Sequence, residues 1–206
     1  MEEQDFPALY RSADKLSLDS QKHFFRILLA HLTVLVIAAI FSFIPISIKL
    51  GTAAQLITLL AAFGCSIYLW AFRPDRYWYA GRAVAESVKT ITWRYISKAE
   101  PFHTEDTFAQ NEFKNSLKLI FEQNRDVCSK LTDHSNEEQF TAAMNQMRCS
   151  SLEERKNNYF ENRIKNQRDW YAKKAIYNKR MGNYFFLGLV FSNAMAVFLA
   201  ILKIIS

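Results

Sequence analysis

The chain has 206 residues, 50% hydrophobic and 22% charged, with 26 Lys and Arg against 20 Asp and Glu for a formal net charge of +6. Five glycines are few for a loop that cradles phosphate, and His23, His31, His103, His134 and the three cysteines show no metal-ligand spacing, so the sequence reads as neither an enzyme nor a cofactor-dependent protein. The mean hydropathy of −0.11 looks ordinary only because apolar and charged residues are segregated along the chain.

Residues 1–26 are polar, with Leu9, Leu16 and Leu18 too sparse for a core, and read as a cytoplasmic arm, either solvated or lying on a membrane surface. From Ile27 to Ile48 no side chain is formally charged, and after Lys49 the run from Leu50 to Phe72 is again uncharged. Each run has about 22 residues and spans roughly 33 Å, the thickness of a bilayer's hydrocarbon core. The runs are apolar on all sides, whereas a soluble core helix keeps a polar stripe. Residues 27–72 are therefore expected to form a transmembrane hairpin, turning between Ser42 and Thr52 where Pro45 and Gly51 interrupt a helix. His31, one turn inside the first span, reads as a neutral hydrogen-bonded ring or as a titrating gate.

Residues 73–180 read as a cytoplasmic helical region. Four Lys and Arg precede the first span, 20 lie between Arg73 and Arg180, and the turn holds Lys49 alone. The positive-inside rule then places the N-terminus and this region in the cytoplasm. Arg73 and Arg76 sit among Tyr68, Trp70, Phe72, Tyr77, Trp78 and Tyr79, an aromatic belt at headgroup level. Pro74 opens a helix expected to run to Ala99, in which Arg82, Glu86 and Lys89 share a face and Arg94 follows. These four form a candidate structural or gating charge cluster: solvated decoration if exposed, a lock if a partner helix buries it.

The pattern Phe108, Phe113, Leu117, Ile120, Phe121, Val127, Leu131 predicts an amphipathic helix over 105–131, and a shorter one is expected over 137–147. A capping box at Ser150 or Ser151 opens a long basic helix whose inward positions are expected to be Leu152, Tyr159, Ile164, Trp170 or Tyr171, and Tyr177. Its Lys173, Lys174, Lys179 and Arg180, with Arg73 and Arg76, are candidate contacts for anionic lipid or an anionic ligand. A third uncharged run, 181–202, is expected to be another span carrying Asn193, with 203–206 as the end of the chain. The architecture expected is an all-α integral membrane protein: a two-helix hairpin, a cytoplasmic helical bundle, and a long helix entering a third span.

Tyr77-Trp78-Tyr79, the stretch from Arg82-Ala83-Val84-Ala85-Glu86 to Trp93-Arg94-Tyr95, and Pro101-Phe102 resemble the SLATT membrane domains of bacteria. Gln167-Arg168-Asp169-Trp170-Tyr171-Ala172-Lys173-Lys174-Ala175 resembles the stretch where one such module hands over to a second in tandem members. Tandem members continue into a fourth span; the expectation here is either that the end of the chain lies outside the membrane after a third span or that the chain is the first part of such a form. The resemblance implies an inner-membrane effector of bacterial conflict or antiphage defence. It would oligomerise and permeabilise the membrane when a cytoplasmic nucleotide-type signal arrives. The implied partners are the lipid bilayer, further copies of the chain, and a nucleotide second messenger or signalling protein, with no role for nucleic acid. The alternative is a non-conducting membrane anchor whose cytoplasmic helices bind a protein partner.

Overall fold

The computed structural model of the chain describes residues 1–41, 48–134 and 136–205, and every described regular element is helical. A short 3-10 turn, Glu3–Asp5, precedes α1 (Ala8–Phe41), α2 (Ile48–Phe72), α3 (Pro74–Ile96), α4 (Asp106–Gln123), α5 (Arg125–Cys128) and α6 (Ala142–Cys149). After these come α7 (Leu152–Tyr159), a π-helical segment Phe160–Lys165, and α8 (Asn166–Ile205). The chain divides into two compact units, Met1–Ser150 and Ser151–Ser206.

In the first unit α1 is one helix of 34 residues. Its C-terminal part packs beside α2 and its N-terminal part beside α3. Two stretches, Ala8–Phe41 and Leu50–Ile96, contain windows long and apolar enough to cross a membrane, and only 6% of each window is buried. A soluble core helix would hide such surface; here Leu29, Val36, Leu56, Ile57 and Phe63 are all well exposed. Of the turn expected over Ser42–Thr52, residues 42–47 and the side chain of Lys49 lie outside the described residues, while α2 already begins at Ile48. Gly51 sits inside α2, so it does not break the helix.

The expected solvated or surface-bound arm is corrected by the structure. Phe6, Tyr10 and Ala13 are buried in one core with Val84, Ala85, Val88, Trp93, Tyr95, Phe102, Phe113 and Met144. The arm lacks a leucine stripe because it packs through aromatic and small side chains. Close approach of α1 and α3 depends on Gly81, where an added Cβ would stand 3.1 Å from the Ala13 carbonyl and 3.2 Å from the Ser17 nitrogen. Ser17 Oγ donates to the Trp78 carbonyl at 2.9 Å across the same contact.

Pro74 opens α3 as expected, after Arg73 turns the chain in a left-handed conformation (φ 43°). The helix expected over 105–131 stops at Gln123. Asn124 leaves helical geometry, and its amide donates to the Ile120 carbonyl at 2.9 Å. The shorter helix runs over Ala142–Cys149 rather than 137–147, capped by Thr141 Oγ1, which accepts from the Met144 nitrogen.

The second unit is one continuous helical rod. Ser151 and Glu154 form the reciprocal capping box at its start. The third apolar run lies within α8, which passes Gly182 unbroken. Its expected inward stripe is exposed: Leu152 66%, Trp170 51% and Tyr177 55%. A single helix offers no partner within that unit to cover it.

Candidate functional site

The expected charge cluster separates into three local arrangements. Arg82 donates to Glu86 at 2.7 Å and to Asp14 of α1 at 2.9 Å, with Asp14 nearly buried. Asp14, which the sequence reading omitted, turns a same-helix pair into a bridge between α1 and α3. Lys89, one turn further, stands over the rings of Phe6 (5.7 Å) and Tyr10 (5.5 Å). Burial, and then the Asp14 carboxylate, push the Tyr10 phenol up to about 12, so it stays protonated. Arg94 belongs to a different place: its Nε donates to the Glu100 carbonyl at 2.9 Å, closing the turn after α3.

A second charged centre had no signal in the sequence. Arg148 of α6 is 2% exposed. Its guanidinium donates to the Tyr95 carbonyl at 2.6 Å, the Thr104 carbonyl at 3.3 Å and Asp106 at 2.8 Å, and lies 4.6 Å from the centroid of the Tyr95 ring. It ties α6 to the end of α3 and the start of α4. Two of its acceptors are backbone carbonyls that only the tertiary fold brings together, so no residue spacing announces it.

The head of α1 is laced to the segment 133–141. The Ala8 nitrogen donates to the Glu138 carbonyl at 3.2 Å and the Leu9 nitrogen to Gln139 Oε1 at 3.1 Å, which satisfies two of the four unpaired donors at a helix start. Arg11 pairs with Glu137, Lys15 with Asp133 at 2.9 Å, and Thr141 Oγ1 donates to the Asp5 carbonyl at 2.7 Å. Between this head, α4 and the 128–140 segment lies a cavity of about 470 Å³. Its apolar walls include Leu9, Leu117, Phe121, Leu131 and Phe140, with Lys114 and Lys118 at its edge. Cys128 lines it, and burial pushes its thiol pKa up.

At the membrane end, Arg73 and Arg76 are exposed and engage Asp75 (3.7 Å) and Asp126 (3.0 Å). His31 Nδ1 donates to the Ala62 carbonyl of α2 at 3.0 Å, the hydrogen-bonded reading of that ring. In the second unit Lys173, Lys174, Lys179, Arg180 and Asn193 are exposed along α8, with the Lys174 ammonium 5.5 Å from the Tyr177 ring.

The two units divide near a boundary that appears independently in family comparisons. Residues 7–156 match the family described as SMODS and SLOG-associating 2TM effector domain 3, and residues 159–206 match effector domain 1 of the same series. No curated protein and no solved structure matches the chain. Two apolar helices with unburied surfaces, joined to a compact helical bundle, agree with that description, and the chain belongs to the SLATT family of two-span membrane effector domains, in tandem arrangement.

Proposed function

We propose that the chain is a multi-pass protein of the bacterial inner membrane that oligomerises and permeabilises it as an effector of antiphage or conflict defence. In this reading the N-terminus and residues 73–180 are cytoplasmic, the hairpin turn is outside, and residues 181–202 form a third span. A nucleotide-type signal made or sensed by a neighbouring protein triggers the change.

The observation that supports the reading is the continuity of α1, which starts inside the buried helical core and runs on without a break into the apolar stretch read as the first span. A shift at its head is transmitted along a stiff rod to the membrane, and a signal that binds one position better than another changes the population of the two. The spans are too apolar for one chain to enclose a polar path. A pore therefore needs several copies, with Thr33, Ser42, Thr58, Ser66 or Asn193 facing it. Lys173, Lys174, Lys179 and Arg180, with Arg73 and Arg76, would hold the assembly to anionic headgroups.

One observation favours the second reading, a non-conducting anchor with a protein partner. Thr58 Oγ1 donates to the Gln55 carbonyl at 2.8 Å, Ser66 Oγ to the Ala62 carbonyl at 3.3 Å, and His31 to Ala62 as well. These three polar side chains of the hairpin are thus satisfied within it. Membrane potential, read with a voltage-sensitive dye in cells expressing the chain, decides between the two. The effector reading expects depolarisation that weakens in Glu86→Ala and Asn193→Leu. A stable potential at full membrane expression, with the signalling neighbour present, supports the anchor.

A further inference from the structure

We infer that the cavity at the head of α1 is a binding site for a small anion with an apolar body. This deepens the proposed function by giving the signal a place to act, and so rests on that reading for its biological meaning. The binding itself is tested separately.

The volume, about 470 Å³, lies in the range of pockets that enclose small organic ligands, roughly 300–1,000 Å³. The walls are apolar: Leu9 from α1, Leu117 and Phe121 from α4, Leu131 and Phe140 from the segment that follows. An apolar body entering there removes these surfaces from water. The charge at the edge is unbalanced in one direction. Lys114 and Lys118 stand one turn apart on α4. Among the described residues Lys118 shares only a long, exposed pair, with Glu122 at 3.8 Å. Lys114 lies 5.8 Å from the Phe140 ring and has no carboxylate partner among the described residues. The lining carries one carboxylate, Asp133, which Lys15 engages at 2.9 Å. His134, also in the lining, holds Glu137 through its Nδ1, and Arg11 holds the same carboxylate. Two lysines over an aromatic and aliphatic floor fit an anionic group attached to a flat or aliphatic body.

The site takes its ligand from water. Ala8 stands about 28 Å along α1 from Ile27, where the apolar run begins, at 1.5 Å per residue. Ala8, Leu9 and Ser12 form one wall and belong to the helix that becomes the first span, while Ser12 Oγ also donates to the Asp133 carbonyl of the facing wall. An occupant touches both sides of that junction, and so has the means to bias the position of α1.

The test uses the whole chain in phosphatidylcholine nanodiscs, neutral so that basic helices do not gather the probe. Binding of naphthalene-1-sulfonate is compared with that of the uncharged naphthalene-1-sulfonamide. The sulfonate is expected to bind at least tenfold tighter, and the Lys114→Ala, Lys118→Ala double variant to remove the difference. Saturating sulfonate is expected to slow alkylation of Cys128 by N-ethylmaleimide at least threefold, leaving Cys149 unchanged, a readout that needs no variant. Equal affinity for the two probes, or a Cys128 rate indifferent to the sulfonate, overturns the proposal. Competition by adenosine monophosphate against competition by octanoate then separates a nucleotide from an acyl anion as the natural source. None of these readouts depends on membrane leakage, so the site can stand while the effector reading falls, and the reverse.

Discussion

Replacing Arg148 by methionine keeps most of the packing of the stem and removes the guanidinium. Three acceptors lose a donor: the carbonyls of Tyr95 and Thr104 and the Asp106 carboxylate. The Asp106 side chain is 54% exposed, so water replaces its partner at little cost. The Tyr95 carbonyl keeps a turn bond from the Lys98 nitrogen at 3.2 Å; losing its shorter bond from a charged donor inside the core costs about 1.5–3 kcal/mol, and the Thr104 carbonyl loses a weaker bond. Loss of the contact over the Tyr95 ring adds about 1 kcal/mol. The sum, about 2.5–4 kcal/mol, overlaps the range for breaking buried ion pairs and corresponds to about 10 °C of melting temperature for a domain of this size. The assay is thermal unfolding of the whole chain in nanodiscs, followed by tryptophan fluorescence, with Arg94→Met as the comparison. Arg94 is exposed and engages a turn carbonyl, so its loss is expected to cost less than about 1 kcal/mol. Equal shifts for the two variants, or a shift under about 2 °C for Arg148→Met, would refute the argument that Arg148 holds α3, α4 and α6 together.

Three further outcomes follow from the same geometry. Asp14→Asn should destabilise the bundle more than Glu86→Gln, since Asp14 is the buried end of the Arg82 bridge; a larger melting shift for Glu86→Gln contradicts this. Cys128, buried with its thiol pKa raised, should react with N-ethylmaleimide at least tenfold more slowly than exposed Cys149 at about pH 8, as mass spectrometry of the labelled peptides can show. The Glu137 carboxyl is held below its ordinary 4.5 first by the hydrogen bond from His134 and then by Arg11. A depressed carboxyl stabilises the fold above its unfolded pKa and loses that contribution as pH falls through the folded value, so Glu137→Gln should flatten the acid limb of stability below about pH 4.5. An unchanged acid limb means the Arg11 and His134 contacts do not anchor the head of α1.

The parts legible in the sequence are those set by local chemistry. Uncharged runs marked the two hairpin helices, because a charge inside hydrocarbon is costly wherever the chain goes next. Pro74 marked the start of α3 because it carries no N–H to leave unpaired in the first turn, and the capping box expected at Ser150 or Ser151 marked the start of α7, where Ser151 and Glu154 satisfy backbone donors from within one turn. What stayed hidden depends on distant partners. Phe6, Tyr10 and Ala13 look like a polar arm's incidental residues until α3 presents Gly81 to them. Arg148 looks like one more surface cation until three separate segments supply its acceptors. The Arg82 and Glu86 pair was visible from its spacing, whereas Asp14, 68 residues from Arg82, was not. The stripe from Leu152 to Tyr177 shows the converse: periodicity reveals an apolar face without revealing what covers it.

The most direct test of the central claim is dye release from sealed vesicles of phosphatidylethanolamine and phosphatidylglycerol carrying the purified, inserted chain at increasing copies per vesicle. An effector that works as an oligomer predicts release rising more steeply than in proportion to copy number, and rising further when an activating anion is supplied on the side of the bundle. Vesicles that stay sealed at every copy number, with insertion verified and anions present, would contradict permeabilisation and leave the chain as an anchor.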